Sequence, residues 1–142
     1  MSHRIHLGLV FLSWVALGAC SDGDEGVVEA DQMGVGAICV DDQACPDIEE
    51  QNADGEPITL VCLDQFKGGY CGLQGCTANA DCPTGSACVA MDDGENYCFR
   101  QCVDKGECNE NRPAEAESNC SSSVSYVESL TEGKACVPPS GN

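Results

Sequence analysis

Residues 76–102, CTANADCPTGSACVAMDDGENYCFRQC, carry the cysteine spacing that decides the fold. Within this stretch five, five and nine residues separate Cys76, Cys82, Cys88 and Cys98, and Cys102 follows four positions later. The whole chain has 13 cysteines in 142 residues, a proportion typical of proteins held together by disulfide bonds. We therefore interpret the first four of these cysteines as one compact module closed by two disulfides.

The interval that opens this module recurs on both sides of it. Five residues separate the first two cysteines of each set, namely VDDQA, TANAD and VDKGE. The sets are Cys39, Cys45, Cys62 and Cys71; Cys76, Cys82, Cys88 and Cys98; and Cys102, Cys108, Cys120 and Cys136. The recurrence predicts three disulfide-bonded modules of four cysteines each. Because four cysteines can pair in three ways, three closed modules allow 27 patterns, and the sequence does not choose among them.

The predicted fold class is small and disulfide-rich, with three four-cysteine modules, short β-hairpins and much irregular structure. Modules of about 25 to 37 residues are below the size at which a hydrophobic core alone stabilises a chain, so covalent bridges are needed. Short strands are expected at residues 60–63, 87–91 and 124–127, with turns at FKGG and MDDGEN. The segment PAEAES, which follows Arg112, is either one helical turn or a solvated loop.

The boundaries between parts of the chain follow from the cysteine sets. We divide it into a signal peptide (1–19), an acidic tether (20–37), three cysteine-rich modules (38–74, 75–100 and 101–137) and a tail (138–142). The tether is rich in Asp, Glu, Gly and Val and has no regular apolar period, so we expect it to be flexible.

The first twenty residues have the three regions of a secretory signal peptide: a basic start at Arg4, an apolar run over 7–17, and small residues before Cys20. The apolar run of about 11 residues is too short to span a bilayer, which needs about 20. Residues 17–20, Leu-Gly-Ala-Cys, resemble the lipobox of bacterial lipoproteins. The resemblance implies that the signal is cut before Cys20 and that the Cys20 thiol carries a lipid anchor. The alternative is ordinary secretion, with cleavage after Gly18 or Ala19 and Cys20 kept for a disulfide.

The odd number of cysteines agrees with a lipid anchor. Assigning Cys20 to the lipid leaves 12 cysteines, an even number that can all pair within the modules. In lipoproteins of this kind an aspartate after the lipidated cysteine commonly retains the protein in the inner membrane, and here the residue is Ser21. The resemblance therefore implies the outer membrane and leaves its periplasmic or surface face open.

The middle module, C-x5-C-x5-C-x9-C followed by Cys102, resembles the amino-terminal cysteine-rich region of Dickkopf proteins. It is also similar to short cysteine repeats found in bacterial surface lipoproteins. The resemblance covers residues 76–102 and rests mainly on the cysteines. Because these families are extracellular and built to bind, it implies a binding role and does not indicate a partner.

Charge and residue content exclude several classes of function. The chain has 24 acidic and 6 basic residues, and its formal net charge of −18 repels nucleic acid. Both histidines, His3 and His6, lie in the signal peptide, so the mature chain has no imidazole for catalysis or zinc binding. The sequence also contains no C-x-x-C pair of the kind used in redox sites. We therefore predict that the protein is not an enzyme and uses no metal or cofactor.

Two acidic stretches suit either calcium or a turn. They are Asp92, Asp93, Glu95 and Asn96 around Gly94, and Asp54 and Glu56 around Gly55. We prefer turns because neither stretch matches the twelve-residue calcium loop.

Arg112 lies in the longest polar loop, between Cys108 and Cys120, where an inhibitor would present an arginine to a trypsin-like protease. Since Pro113 follows and normally protects such a bond, a tolerated insertion is the preferred interpretation. Contacts with a partner are assigned first to the aromatic residues Phe66, Tyr97 and Phe99, for which packing in a small core is an equal alternative.

Together these features predict a lipid-anchored protein of the bacterial cell envelope with a binding or structural role. Its expected partners are the membrane, through the amino-terminal lipid, and an envelope protein or a polysaccharide. The alternatives are a secreted, unlipidated ligand or protease inhibitor, or a calcium-binding surface module.

Overall fold

Six disulfide bonds and seven short strands form the part of the chain that the computed structural model describes, residues 29–32, 34–52, 54–129 and 133–141. The elements are α1 (Glu29–Gln32), β1 (Val61–Cys62), β2 (Cys71–Gln74), β3 (Ser86–Ala90), β4 (Asn96–Cys102), β5 (Asn119–Ser121), β6 (Ser125–Tyr126) and β7 (Lys134–Val137). Four 3₁₀ turns lie at Asp42–Ala44, Asn79–Asp81, Glu107–Asn109 and Ala114–Ala116. The small disulfide-rich fold class is confirmed. Within these ranges no helix is long and apolar enough to cross a membrane.

The expected strands are short but lie where the sequence indicates them. β1 and β6 fall inside residues 60–63 and 124–127, and β3 covers most of 87–91 and begins one residue earlier. The segment PAEAES forms a single 3₁₀ turn at Ala114–Ala116, which begins directly after Pro113.

All three cysteine sets pair internally and in the same order, first with third and second with fourth. The bonds are Cys39–Cys62, Cys45–Cys71, Cys76–Cys88, Cys82–Cys98, Cys102–Cys120 and Cys108–Cys136. The third and fourth cysteines of each set face each other directly across a strand pair, as Cys88 and Cys98 do in β3 and β4. Because opposed residues share one face of a hairpin, the loop that carries the first two cysteines is bonded to that face.

A side chain in the opening loop of each of the first two modules holds the loop to the hairpin. Asp42 Oδ1 accepts a hydrogen bond from the Cys62 amide at 2.8 Å, and Asn79 Oδ1 accepts one from the Cys88 amide at 3.0 Å. Both acceptors lie three residues after the first cysteine of their module. The third module has Lys105 there, and Asn109 Oδ1 instead accepts from the Ser118 amide at 2.7 Å. The modules are therefore structural repeats as well as spacing repeats.

One sheet joins the three modules. Its strands follow the order β1-β2-β4-β3-β6, and β7 pairs with both β4 and β5. β4 spans the boundary between the second and third modules and pairs with strands of all three, in the registers Leu73↔Cys98, Val89↔Tyr97 and Gln101↔Ala135. The modules are thus closed separately by disulfides and joined by backbone hydrogen bonds.

The core is aromatic and draws on more than one module. Phe66, Tyr70, Tyr97 and Phe99 are all buried, and the Tyr70 and Phe99 rings meet edge to face with centroids 5.2 Å apart. Phe66 contacts the other three rings in similar geometry. Val89 and Ala135 belong to the same cluster. Such pairs are worth about 0.5–1.5 kcal/mol each beyond the area they bury, so four rings link modules that are too small to fold alone.

The prediction of a flexible tether over 20–37 is wrong for residues 29–37, apart from residue 33, which lies outside the described residues. Ala30 and Val35 are buried in the core, and the Gly36 amide donates to the Cys71 carbonyl at 2.9 Å. Two isolated small apolar residues do not produce a periodic pattern, so the sequence did not reveal this packing. Residues 20–28 lie outside the described residues.

In the predicted tail, residues 138–142, the described residues pack against the first module. Pro138 is buried, the Pro139 carbonyl accepts from the Lys67 amide at 3.0 Å, and Ser140 forms a β-bridge with Phe66. The carboxy-terminal segment therefore returns to the first module and covers Phe66.

Candidate functional site

The predicted lipidation residue, Cys20, and the signal peptide lie outside the described residues. Between Cys20 and Ala30, the first buried residue, there are ten residue steps. At about 3.3 Å per extended residue, such a segment reaches at most about 33 Å. An anchor at Cys20 would thus hold the fold within roughly that distance of a membrane.

Arg112, the inhibitor candidate, is buried with 7% of its surface exposed. Its Nε donates to the Ala116 carbonyl at 2.7 Å, and its Nη1 donates to the carbonyls of Gly36 and Gly69, both at 3.0 Å. Nη2 donates to the Lys67 carbonyl at 2.9 Å. This side chain cannot enter a protease cleft without breaking four hydrogen bonds, so the inhibitor interpretation of Arg112 is wrong and the loop is structural.

A second arginine, Arg100, joins the core to the amino-terminal segment. Its guanidinium forms an ion pair with Asp31 of α1 and donates to the Glu107 carbonyl. The backbone amide of Arg100 donates to the Tyr70 hydroxyl at 3.1 Å. Burial raises the pKa of Tyr70 to about 12, since an ionised phenol would lack water. Burial also lowers the pKa of Arg112, whose cation lies over the Tyr70 ring.

The aromatic residues proposed for partner contacts do not reach the surface. Phe66, Tyr97 and Phe99 are 5%, 2% and 0% exposed, so the core alternative is correct. The Tyr97 hydroxyl donates to Asp93 Oδ2 at 2.8 Å, and burial together with this carboxylate raises the pKa of Tyr97. The side chains that are exposed and apolar are aliphatic: Ile38, Val40, Val103 and Val127.

The two acidic stretches considered for calcium form turns. In the first, Asp93 Oδ1 accepts from the Glu95 amide at 3.0 Å, and Asn96 Nδ2 donates to the Cys76 carbonyl at 2.9 Å. In the second, the Asn52 side chain accepts from the amides of Asp54 and Glu56 at 3.0 Å and 2.9 Å. Among the described residues, close groups of three potential metal ligands consist of disulfide-bonded cysteines. Asp93 and Asn52 thus hold the backbone amides of the two turns.

The surface is more acidic than the composition suggests, because both arginines of the described residues face inward. Arg100 and Arg112 are buried, and the Lys105 ammonium pairs with Glu117. The Lys134 ammonium donates to the Val103 carbonyl at 2.9 Å. An anionic ligand would therefore meet little positive charge on this surface.

Among the described residues, two clefts lie between modules. The first, which we call the serine cleft, has a volume of about 260 Å³ and separates the β3 end from the β5–β6 segment; its polar lining residues are Asp92, Asn119, Ser121, Ser123 and Ser125. The second, the Asp81 cleft, has a volume of about 280 Å³ and is lined by Asn52, Asp54, Thr77 and Asp81 together with apolar residues. Hydrogen bonds from the Thr77 amide and hydroxyl lower the pKa of Asp81.

Sequence reasoning missed three structural side chains: Arg112, Asn79 and Asp42. For Asn79 and Asp42 a signal exists, since both lie three residues after the first cysteine of their modules. For Arg112 no signal exists, because three of its four acceptors lie between 43 and 76 residues away.

Comparison with known proteins does not assign the chain to a family. No protein-family model matches the chain, and no curated protein or solved structure matches it.

Proposed function

We propose that the protein is a lipid-anchored protein of the bacterial cell envelope, at the outer membrane, and that its disulfide-stapled modules have a binding or structural role. The observation that carries the proposal is the cysteine pairing. All twelve cysteines after residue 38 pair with one another, so the pairing scheme does not include Cys20, the last residue of the lipobox-like sequence.

The disulfides support an oxidising compartment. Six bridges in a chain of this length are typical of secreted and envelope proteins and rare in the reducing cytosol. The three modules share one core, and the fold depends on its bridges. We therefore infer that the fold forms after export, where the bridges can form.

The geometry supports binding or a structural role better than catalysis. Asp93 and Asn52 accept from backbone amides of the two turns, and the buried arginines hold carbonyls and a carboxylate inside the fold. The loops between strands provide exposed surface for contacts, as is usual for small domains held by disulfides.

The intact mass of protein purified from its native membrane tests the proposal. We expect a chain that starts at Cys20, carries added acyl mass, and shows twelve thiols only after reduction. A Cys20→Ser variant should lose the acyl mass and leave the membrane fraction while retaining six bridges. If the native protein had an unmodified Cys20 and salt without detergent released it from the membrane, the result would instead indicate an unlipidated secreted protein.

A further inference from the structure

We propose that the serine cleft binds a neutral saccharide unit. This inference rests on the proposed binding role and names the ligand class. The cleft is built by two modules: Val89 and Asp92 belong to the second, and the segment from Asn119 to Ser125 belongs to the third. Clefts between structural units are common ligand sites, because each side contributes groups that the other lacks.

The base of the cleft is apolar and its exposed members are polar. Val89 is fully buried, while Val124 and Val137 are half-buried and line the same space. Asp92, Asn119, Ser123 and Ser125 are exposed around them. A sugar ring has one surface of C–H groups and an edge of hydroxyls. The exposed parts of Val124 and Val137 would contact the first, and the polar side chains would hydrogen-bond the second.

The polar side chains of the serine cleft are uncommitted. In the described part of the chain, the side chains of Asp92, Asn119, Ser123 and Ser125 make no hydrogen bond to another residue, and Ser121 Oγ accepts one from the Ser123 amide at 3.1 Å. Hydroxyls can donate and accept, an amide does both, and a carboxylate accepts from two neighbouring hydroxyls. These are the groups needed to bind a polyol.

The Asp81 cleft is the matched counter-example within the same fold. Three of its four polar side chains are already engaged: Asn52 Oδ1 holds two backbone amides, and Asp81 Oδ2 accepts from the Thr77 amide, the Thr77 hydroxyl and the Ala78 amide. The two clefts have similar volumes, about 260 Å³ for the serine cleft and about 280 Å³ for the Asp81 cleft. Free polar groups distinguish them, and they favour the serine cleft.

Charge selects a neutral saccharide. Asp92 is a carboxylate at the cleft, and the chain carries a formal net charge of −18. Uronic acids and phosphorylated sugars would be repelled by this field. The volume is below the range of about 300–1,000 Å³ that drug-sized ligands occupy, so it suits one ring of a longer glycan.

Saturation-transfer NMR on the oxidised mature protein in deuterated detergent tests the inference. The probes are maltohexaose, cellohexaose and mannohexaose, with hexagalacturonate as the anionic comparison. We expect saturation of ring protons in at least one neutral probe and none in hexagalacturonate. A variant with Asp92→Ala and Ser125→Ala should bind at least about tenfold more weakly, because hydrogen bonds to a charged group are lost. Asp54→Ala, in the Asp81 cleft, should bind normally.

Three results would overturn the inference: no saturation of any neutral probe, equal saturation of hexagalacturonate, or unchanged binding by the double variant. All the substituted residues are exposed, so each variant should retain its six bridges, which intact mass verifies. The outcome is independent of the anchor. Protein with the acyl mass but no saccharide binding contradicts this inference alone, and protein that binds saccharide without the acyl mass contradicts the anchor alone.

Discussion

The guanidinium of Arg112 lies over the ring of Tyr70, with 5.7 Å between its central carbon and the ring centroid. Arg112 comes from the third module and Tyr70 from the first. The same guanidinium donates to the Gly36 and Gly69 carbonyls. One charged side chain therefore supplies the donors for backbone acceptors that β-pairing leaves free.

Replacing Arg112 should destabilise the fold strongly. Arg112→Ala leaves four carbonyls without their donor, and we expect the free energy of unfolding to fall by at least about 3 kcal/mol. Arg112→Lys should lose most of the same stability, because one ammonium cannot reach acceptors on several sides. Unfolding in guanidinium chloride, with the disulfides intact, measures the free energy of unfolding of both variants. The control is Lys105→Met, which removes an exposed ion pair worth less than about 1 kcal/mol; an equal effect of the two changes would contradict the role of Arg112.

Alkaline pH should destabilise the protein through Tyr70. The pKa of Tyr70 is about 12 in the fold and about 10 in the unfolded chain. The unfolded state therefore loses its proton first, and stability that is complete below about pH 10 declines as the pH rises towards 12. The shift of about two pKa units corresponds to roughly 3 kcal/mol. Rapid-mixing urea unfolding from pH 9 to 12 should show this decline, and Tyr70→Phe should flatten it; an equally steep decline in Tyr70→Phe would contradict the assignment.

The acceptors three residues after the first cysteine should stabilise their modules. Asn79→Ala leaves the amide of the fully buried Cys88 without a partner, at a cost of about 1–2 kcal/mol. Asp42→Ala should act in the same direction on the Cys62 amide, whereas Asp42→Asn copies the residue of the second module and should be tolerated. Thermal melting of the three variants measures this. If Asp42→Asn melted as low as Asp42→Ala, an acceptor role at this position would be disproved.

Two glycines with positive φ should respond differently to alanine. At Gly69 (φ +65°) an added Cβ would lie 2.2 Å from the Cys39 carbonyl oxygen, so backbone must move. At Gly75 (φ +88°) nothing lies within 4 Å of it, and left-handed strain of roughly 1–2 kcal/mol is the whole cost. We therefore expect Gly69→Ala to be the more damaging by at least about 2 kcal/mol. Yield of the six-bridge species and its melting temperature measure the difference, and similar values for both variants would contradict the clash.

Local spacing in the sequence was sufficient for the covalent units. The repeated interval between the first two cysteines, at Cys39, Cys76 and Cys102, defines three sets that each close on themselves. The strand at β3 and the turn after Met91 follow from short β-rich and glycine-containing stretches. These features were predictable because both partners lie within about 30 residues, where pattern and turn chemistry act directly.

Tertiary structure alone decided how the units meet. The pairing of first with third cysteine depends on which face of the hairpin the opening loop covers, as at Cys76 and Cys88. Residues from separate parts of the chain come together to bury Ala30, to accept the hydrogen bonds of Arg112 and to form the serine cleft. No periodicity encodes such contacts, because the residues that make them lie far apart in the sequence. The sequence by itself determined the cysteine sets and the acidic composition, and packing between modules determined the core and the clefts.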